Sequence, residues 1–91
     1  MISYYPVMDD VDGSSATVYI RIRPTLNAPI VATVTTGDML GLVGHGNGDA
    51  VTRKTTSTLW DYVRYNGQDG WIADNWLDTG TSQPLGPSVT P

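Results

Sequence analysis

The residues of this chain best suited to contact another molecule are aromatic, and most of them lie close together. The stretch WDYVRYNGQDGWIADNWL, residues 60–77, contains all three tryptophans of the protein and two of its five tyrosines. Aromatic side chains supply large apolar surfaces with a polar edge, and they are enriched where proteins hold partners. Their chemistry is binding and packing, so this stretch predicts a contact surface, the core of a small barrel, or both.

The acidic stretch DDVDGS near the N-terminus is similar to part of a calcium-binding loop. Asp10, Asp12 and Gly13 would occupy the third, fifth and sixth positions of such a loop. The first and twelfth positions, which need oxygen ligands, would then be Met8 and Tyr19. An ordinary acidic turn is therefore the preferred interpretation, and no metal site is predicted.

The segment GHGNGD, residues 44–49, contains the single histidine, His45. It lacks the Lys-Ser/Thr ending of a phosphate-binding loop. The chain has no cysteine and no Gly-x-Ser-x-Gly elbow, so the sequence shows no motif that would pair His45 with a nucleophile, and no hydrolase site is expected. We interpret His45 as a solvated loop residue and the glycines as turn residues with positive φ. No catalytic residue and no cofactor is predicted, and the protein is not expected to be an enzyme.

The length and charge of the chain limit the size of its fold and the classes of partner that it can bind. The 91 residues are enough for one small domain. The formal net charge of −4 and the lack of clustered Lys and Arg argue against nucleic acid. No apolar run approaches the roughly 18–20 residues that span a bilayer, so no transmembrane segment and no membrane insertion are expected. The N-terminus MISYYPVMDD shows neither the basic segment nor the apolar stretch of a secretory signal peptide.

The elements that must position the aromatic residues are strands. All acidic residues are aspartate and lysine appears once, whereas threonine is abundant, a composition that favours sheet over helix. No segment has a helical period, and residues 44–58 are predicted to form a long polar loop or a ragged hairpin. Alternating or β-branched runs predict strands at 1–8, 17–23, 30–35, 39–43, 59–65 and 68–73.

For one hairpin, the sequence also predicts which residues lie opposite each other. Asn66-Gly67 between two apolar runs predicts a two-residue type I′ turn, because both residues tolerate positive φ. The turn places Arg64 opposite Asp69 and Tyr62 opposite Trp71, and each such pair contributes about 0.2–1 kcal/mol. It puts Val63, Tyr65, Gly70 and Ile72 on one face, and Trp60, Tyr62, Trp71 and Ala73 on the other.

The two faces of this hairpin have different expected roles. The aliphatic face is the natural wall of the core, so we expect the stripe of Trp60, Tyr62 and Trp71 to lie at least partly outside. An exposed aromatic stripe would mark a contact site. The alternative is that residues 44–58 or the chain termini cover it.

Two stretches resemble a bacterial Src homology 3 (SH3) domain, over residues 17–78. The stretch YIRIRPTLNAPIVATVTTGD is similar to that family's strand, Arg-x-x-Pro loop, strand and Gly-Asp turn, with Arg21 and Pro24 at the loop positions. Ile22 and Arg23 replace the small residues usual between them, and residues 44–58 are longer than the family's connection. Residues 60–77 resemble the family's C-terminal motif at Trp60, Val63, Tyr65, Gly67, Gly70, Trp71 and Leu77.

The resemblance implies an all-β fold, a small five- to six-stranded SH3-like barrel without catalysis. Residues 1–16 would form an N-terminal strand or extension, and residues 79–91 an irregular Pro-, Gly- and Ser-rich tail. A free tail of this composition should be disordered, so we expect a neighbouring subunit to hold it through Leu85 and Val89. The predicted contact residues of the barrel are Tyr19, Arg21, Trp60, Tyr62, Trp71 and Trp76.

Members of that family act as adaptors, as parts of phage particles, or as tethers of cell-wall hydrolases. The first expectation is therefore a structural or decoration protein of a phage-type virion that docks onto capsid or tail proteins. The alternative is a targeting module that binds peptidoglycan for a bacterial or phage hydrolase. The expected location is the virion, or the extracellular cell wall.

Overall fold

Six antiparallel strands form one strongly curled sheet, a half-barrel that fits a small SH3-like barrel. The computed structural model describes residues 1–91, and the strand order in the sheet is β1-β4-β5-β6-β2-β3. The predicted all-β fold is confirmed. No helix is long and apolar enough to cross a membrane. The elements are β1 (Tyr4–Pro6), β2 (Thr17–Arg21), β3 (Ile30–Thr35), β4 (Met39–Thr52), β5 (Thr56–Tyr65), β6 (Gln68–Ala73) and a 3₁₀ turn (Asp74–Trp76).

The segment predicted as a polar loop or a ragged hairpin is a hairpin. β4 continues to Thr52 and β5 begins at Thr56, so the two long strands pair over most of this region. Their register shifts between Leu42 and Gly44 and again between Asn47 and Val51. Such irregularities bend a strand pair and increase its twist. The sheet can therefore curl around a core that a flat pair of strands would not enclose.

The main core lies on the inner face of the curled sheet, and its residues come from segments throughout the range Val7 to Leu77. Val7 and Ala16 belong to it, so the N-terminal segment is anchored in the same core as the strands that follow, although residues 8–15 between these two anchors are exposed. An isolated bridge between Val7 and Leu77 joins the N-terminal segment to the residue that follows the 3₁₀ turn. The buried residues of the main core are Val7, Ala16, Val18, Ile20, Val34, Leu40, Leu42, Val63, Ile72 and Leu77.

The derived hairpin of β5 and β6 is confirmed in turn and register. Asn66 and Gly67 have φ values of 50° and 75°, as a type I′ turn requires. Every cross-strand pair from Tyr65 opposite Gln68 to Trp60 opposite Ala73 is present. The Arg64 guanidinium donates to the Asp69 carboxylate at 2.7 and 2.9 Å. The rings of Tyr62 and Trp71 lie 5.0 Å apart between centroids.

The turn supplies a direct test of the hairpin. Gly67→Val is expected to destabilise the fold by about 1–3 kcal/mol, because a β-branched residue is strained at positive φ. Gly67→Asn is the matched control and should cost much less, since asparagine tolerates this conformation. Urea unfolding measures both. Equal stability of the valine variant and the wild type would contradict the turn geometry.

Candidate functional site

The expected exposure of the tryptophan stripe is wrong. Trp60 and Trp71 are each only 2% exposed, and with Ala73 they form a second, smaller core on the outer face of the β5–β6 hairpin. Four partly buried residues pack around them: Val51, Tyr62, Trp76 and Val89. The alternative interpretation, burial beneath residues 44–58 and the chain terminus, is the one that the structure confirms.

Glycines of β4 explain how this second core is covered. Gly44, Gly46 and Gly48 alternate along the strand, so they share one face, and none of them has a positive φ. The prediction that they serve as turn residues is therefore wrong. A Cβ on Gly46 would lie 2.8 Å from Cη2 of Trp71, so the indole packs directly on bare backbone. A longer side chain at this position would push the ring away from the sheet.

The end of the GHGNGD segment holds the loop between β2 and β3 against the sheet. Asp49 N–H donates to the Pro24 carbonyl at 3.0 Å, and the Asp49 carboxylate accepts from Leu26 N–H at 2.9 Å. The indole Nε1–H of Trp60 donates to the Asp49 carbonyl at 2.9 Å. A Cβ on Gly48 would collide with Pro24. This segment therefore acts as a structural clamp.

The C-terminal tail is held by its own barrel, which corrects the prediction of a neighbouring subunit as the clamp. His45 N–H donates to the Pro87 carbonyl at 2.9 Å, and Val89 N–H donates to the His45 carbonyl at 2.7 Å. Leu85 packs against the main core and Val89 against the tryptophan core. Both predicted assembly anchors are thus partly buried inside the molecule.

His45 is consequently a structural residue, and its interpretation as a solvated loop residue is wrong. Its Nδ1 lies 3.2 Å from the carbonyl oxygens of both Leu85 and Gly86. Carbonyls only accept hydrogen bonds, so Nδ1 carries the proton and donates. Backbone and side chain of this single residue together hold the tail.

A groove of about 180 Å³ brings together four of the six predicted contact residues: Tyr19, Arg21, Trp60 and Trp76. Tyr62 and Trp71 do not line it. Tyr19 is 43% exposed and projects from the outward face of β2, because alternate residues of that strand point into the core. The groove is lined by Thr17, Val18, Tyr19, Arg21, Leu26, Val51, Trp60, Ala73 and Trp76.

Arg21 supplies the positive charge of this groove and also supports its rim. One guanidinium nitrogen donates to the Ala28 carbonyl at 2.8 Å, which ties the β2–β3 loop back to its first strand. The guanidinium carbon lies 5.5 Å from the centroid of the Tyr19 ring, within the range of a cation–π contact. Arg21 and Tyr19 therefore form one side of the groove as a braced pair.

Trp76 also lines the groove and is held by Arg53. The Arg53 guanidinium carbon lies 3.7 Å from the Trp76 ring centroid. Its nitrogens donate to the Asn75 carbonyl at 2.9 Å and to the Asp9 carbonyl. The tip of the β4–β5 hairpin is thereby joined to the 3₁₀ turn and to the N-terminal turn, and the indole is fixed in place.

Aliphatic side chains extend the apolar surface beyond the groove. Ile22, Leu26 and Ile30 are each about half exposed. Leu26 lines the groove, Ile22 follows Arg21 in the chain, and Ile30 lies opposite Arg21 in the sheet. Sequence reasoning missed these three residues, although the position of Ile22 and Leu26 in or beside the loop that resembles the SH3 Arg-x-x-Pro segment was a usable signal.

A larger cavity of about 880 Å³ lies between the N-terminal turn, residues 53–55 and residues 77–82. Its lining is mostly polar and includes none of the predicted contact residues.

No group of three or more histidine or acidic side chains is placed to hold a metal ion. The acidic turn that was compared with a calcium loop is closed internally. Its Asp12 carboxylate accepts from Ser14 N–H at 2.9 Å, and hydrogen bonds from Ser14 lower the pKa of Asp12.

Asp61 is a buried acid that sequence reasoning missed. It is 1% exposed, and neither carboxyl oxygen has an N–H or hydroxyl partner. Burial, reinforced by the neighbouring Asp74 carboxyl, raises the pKa of Asp61 to about 9. Asp61 is therefore protonated at neutral pH and shares its proton with Asp74, which lines the large cavity. In the hairpin register derived from the sequence, Asp61 lies opposite Ile72 on the aliphatic face. This position among core residues was the signal that could have identified Asp61 as a buried acid.

Comparison with known proteins leaves the family open. No family model matches the chain, and no solved structure matches it. The chain is similar to the "Uncharacterized protein YraJ" of Bacillus subtilis (strain 168), with 29% identity over 80 residues, covering 81% of this chain and 68% of that protein. The half-barrel fold is shown by the structure, whereas the resemblance to bacterial SH3 domains stays a prediction.

Proposed function

We propose that this protein is a non-catalytic binding module that docks onto a subunit of a larger protein assembly through the groove beside β2. The observation that carries the proposal is the continuity of the groove with exposed apolar surface. Tyr19, Leu26 and Trp76 line the groove, and the half-exposed Ile22 and Ile30 are the chain and sheet neighbours of Arg21 beside it. Apolar patches of this kind on small domains mark protein contacts.

The lining indicates the chemistry of the bound segment. A shallow space lined by aromatic and aliphatic side chains accepts an apolar side chain of a partner. Arg21 adds a positive charge at the edge of that space, which favours an acidic side chain or a free carboxylate beside it. The proposed ligand is therefore an exposed segment of a partner protein that pairs an apolar residue with an acidic one.

The proposed setting is a phage-type particle, in which capsid or tail proteins would provide this segment. The alternative, binding of peptidoglycan, rests on the SH3 resemblance and on the aromatic side chains of the groove, which could stack on sugar rings. Sugar recognition also requires polar side chains around the aromatic faces to hydrogen-bond the hydroxyl groups. The aliphatic rim formed by Ile22, Leu26 and Ile30 favours a protein partner over a glycan.

Leu26→Asp is expected to weaken binding to peptides selected by the wild-type chain from a random peptide array at least about 10-fold, or about 1.4 kcal/mol. The substitution places a carboxylate inside the apolar groove. Met39→Asp is the matched control, because Met39 is similarly exposed but lies outside the groove. Fluorescence anisotropy of labelled peptides measures both variants.

The competing function is tested with the same two variants. Retention of the wild type on purified peptidoglycan sacculi, together with its loss in Leu26→Asp, would assign the groove to cell-wall binding. Failure to select any peptide, combined with no retention on sacculi, would contradict a binding role for this groove. Phage-type assembly further requires that labelled protein be incorporated into purified particles through a Leu26-dependent contact.

A further inference from the structure

The C-terminal tail pairs with an open edge of the sheet through an isolated β-bridge. β1 pairs with β4 as far as Gly41, and the carbonyl of Ser3 just before β1 still accepts from Leu42 N–H at 2.9 Å. Beyond Leu42 this edge of β4 would be unpaired without the tail. Residues 87–89 fill it, with a parallel bridge between His45 and Ser88 flanked by the two backbone hydrogen bonds of His45. Unpaired strand edges readily accept another segment of chain, so this edge is a natural docking position.

The shape of the edge fits the tail closely. A Cβ on Gly44 would lie 2.5 Å from the Pro87 carbonyl oxygen and 2.6 Å from Cγ2 of Val89. Its three nearest neighbours all belong to the tail, so a side chain at this position would collide with the tail first. Displacing the tail would uncover the part of the tryptophan core against which Val89 packs. The site therefore has an acceptor, centred on Gly44 and His45, and a donor, centred on Val89.

The connection between donor and barrel is an exposed linker. Asp78 N–H still donates to the Pro6 carbonyl, but residues 80–84 are all exposed, and Gly80 adopts a φ of 77°. Six extended residues, 79–84, reach about 20 Å. The molecule is 25–26 Å across its two shorter dimensions. Because this reach is shorter than the width of one molecule, a released tail can reach only a copy that lies in direct contact with its own barrel.

We propose that residues 84–91 of one copy dock on the β4 edge of a second copy, so that exchange of tails joins copies of this chain. The docked contacts are the same within one molecule and between two, so only the linker and the concentration decide which form prevails. A short linker gives an effective concentration on the order of millimolar. Dilute protein would keep its own tail, and copies crowded at millimolar concentration would exchange tails. This surface is separate from the groove of the proposed function.

A pair of complementary variants tests the exchange. Gly44→Ala blocks the acceptor and frees an intact tail, whereas Val89→Pro removes the N–H that donates to His45 and frees an intact acceptor. Each variant alone is expected to be monomeric. Mixed in equal amounts, they are expected to form a one-to-one dimer with a dissociation constant in or below the millimolar range. Light scattering and ¹⁵N NMR titration measure this.

Ser88→Ala is the control, since Ser88 is exposed, and it should behave as the wild type. A second measurement adds a synthetic peptide of residues 84–91 to the Val89→Pro chain, which keeps the test decisive if Gly44→Ala fails to fold. Binding of the peptide at millimolar concentration or below supports the exchange in that case. A folded mixture that stays monomeric at a few millimolar would overturn the exchange, whether or not the peptide binds. Failure of the peptide to bind would also overturn it.

Discussion

Asp61→Asn is expected to stabilise the protein near neutral pH and to flatten the dependence of its stability on pH. The asparagine amide stays neutral at every pH, and it can donate to Asp74 in place of the acid proton. Wild-type Asp61 is held protonated by burial and by Asp74, and His45 faces it from the neighbouring strand β4. The unfolded chain releases this proton near the ordinary pKa of 3.8.

The direction of the pH dependence follows from the number of protons that Asp61 binds in the folded and in the unfolded chain. Between pH 3.8 and about 9 the folded wild type binds one proton more than the unfolded chain at this residue. The contribution of Asp61 is fully present below pH 3.8 and is lost as the pH rises towards 9, by up to about 1.4 kcal/mol per pH unit. From about pH 4 to about pH 7 the wild type should lose up to about 4 kcal/mol from this group alone.

Urea unfolding at several pH values between about 4 and 8 measures this contribution. Asp69→Asn is a control of opposite sign, because its ion pair with Arg64 lowers the pKa of Asp69. The stabilisation from Asp69 is present above the ordinary pKa and is lost as the pH falls. If Asp61→Asn left the slope of stability against pH unchanged, Asp61 would have to be ionised in the folded protein, and its burial beside Asp74 would be wrong.

Trp71→Ala is expected to destabilise the fold by about 3–5 kcal/mol, because it leaves a cavity in the smaller core. The indole packs on Gly46 and beside Trp60, Tyr62 and Ala73, and it is almost fully buried. Since small domains are stable by only about 5–15 kcal/mol, the variant should lose much of its cooperative unfolding transition. Denaturant unfolding followed by circular dichroism measures the loss.

Tyr19→Ala provides the comparison for this prediction. Tyr19 lines the groove with a largely exposed ring, so its removal should change stability by no more than about 1 kcal/mol while it affects binding. The two aromatic residues should therefore separate into a core residue and a contact residue. A Trp71→Ala variant as stable as the wild type would restore the earlier expectation that this ring lies on the surface.

Most of the strands and the β5–β6 register could be read from the chain because they depend on neighbouring residues. Asn66-Gly67 adopts positive φ locally, and the turn then dictates which residues lie opposite each other. The placement of Asp61 among aliphatic residues followed from that register. Its significance was missed because the partner that shares its proton, Asp74, comes from a separate turn.

The sequence alone could not show that other segments cover the aromatic face of the β5–β6 hairpin. Both faces of the β5–β6 hairpin are apolar, so alternation alone does not show which face is exposed. The cover consists of β4 and the tail, which reach Trp71 only because Gly46 and Gly44 lack side chains. In the sequence, alternating glycines among polar residues are equally typical of a flexible loop, and this ambiguity led to the wrong interpretation.

The sequence by itself determined most of the strands, though not the part of β4 at residues 44–52, together with the tight turn at 66–67 and the register of the hairpin. These features follow from backbone preferences and side-chain alternation over a few residues. Only the tertiary structure decided that Trp60 and Trp71 are core residues, that Tyr19, Arg21 and Trp76 share a groove, and that the tail docks on His45. These outcomes depend on contacts between segments far apart in the chain. Such contacts form only where the shapes of distant surfaces match.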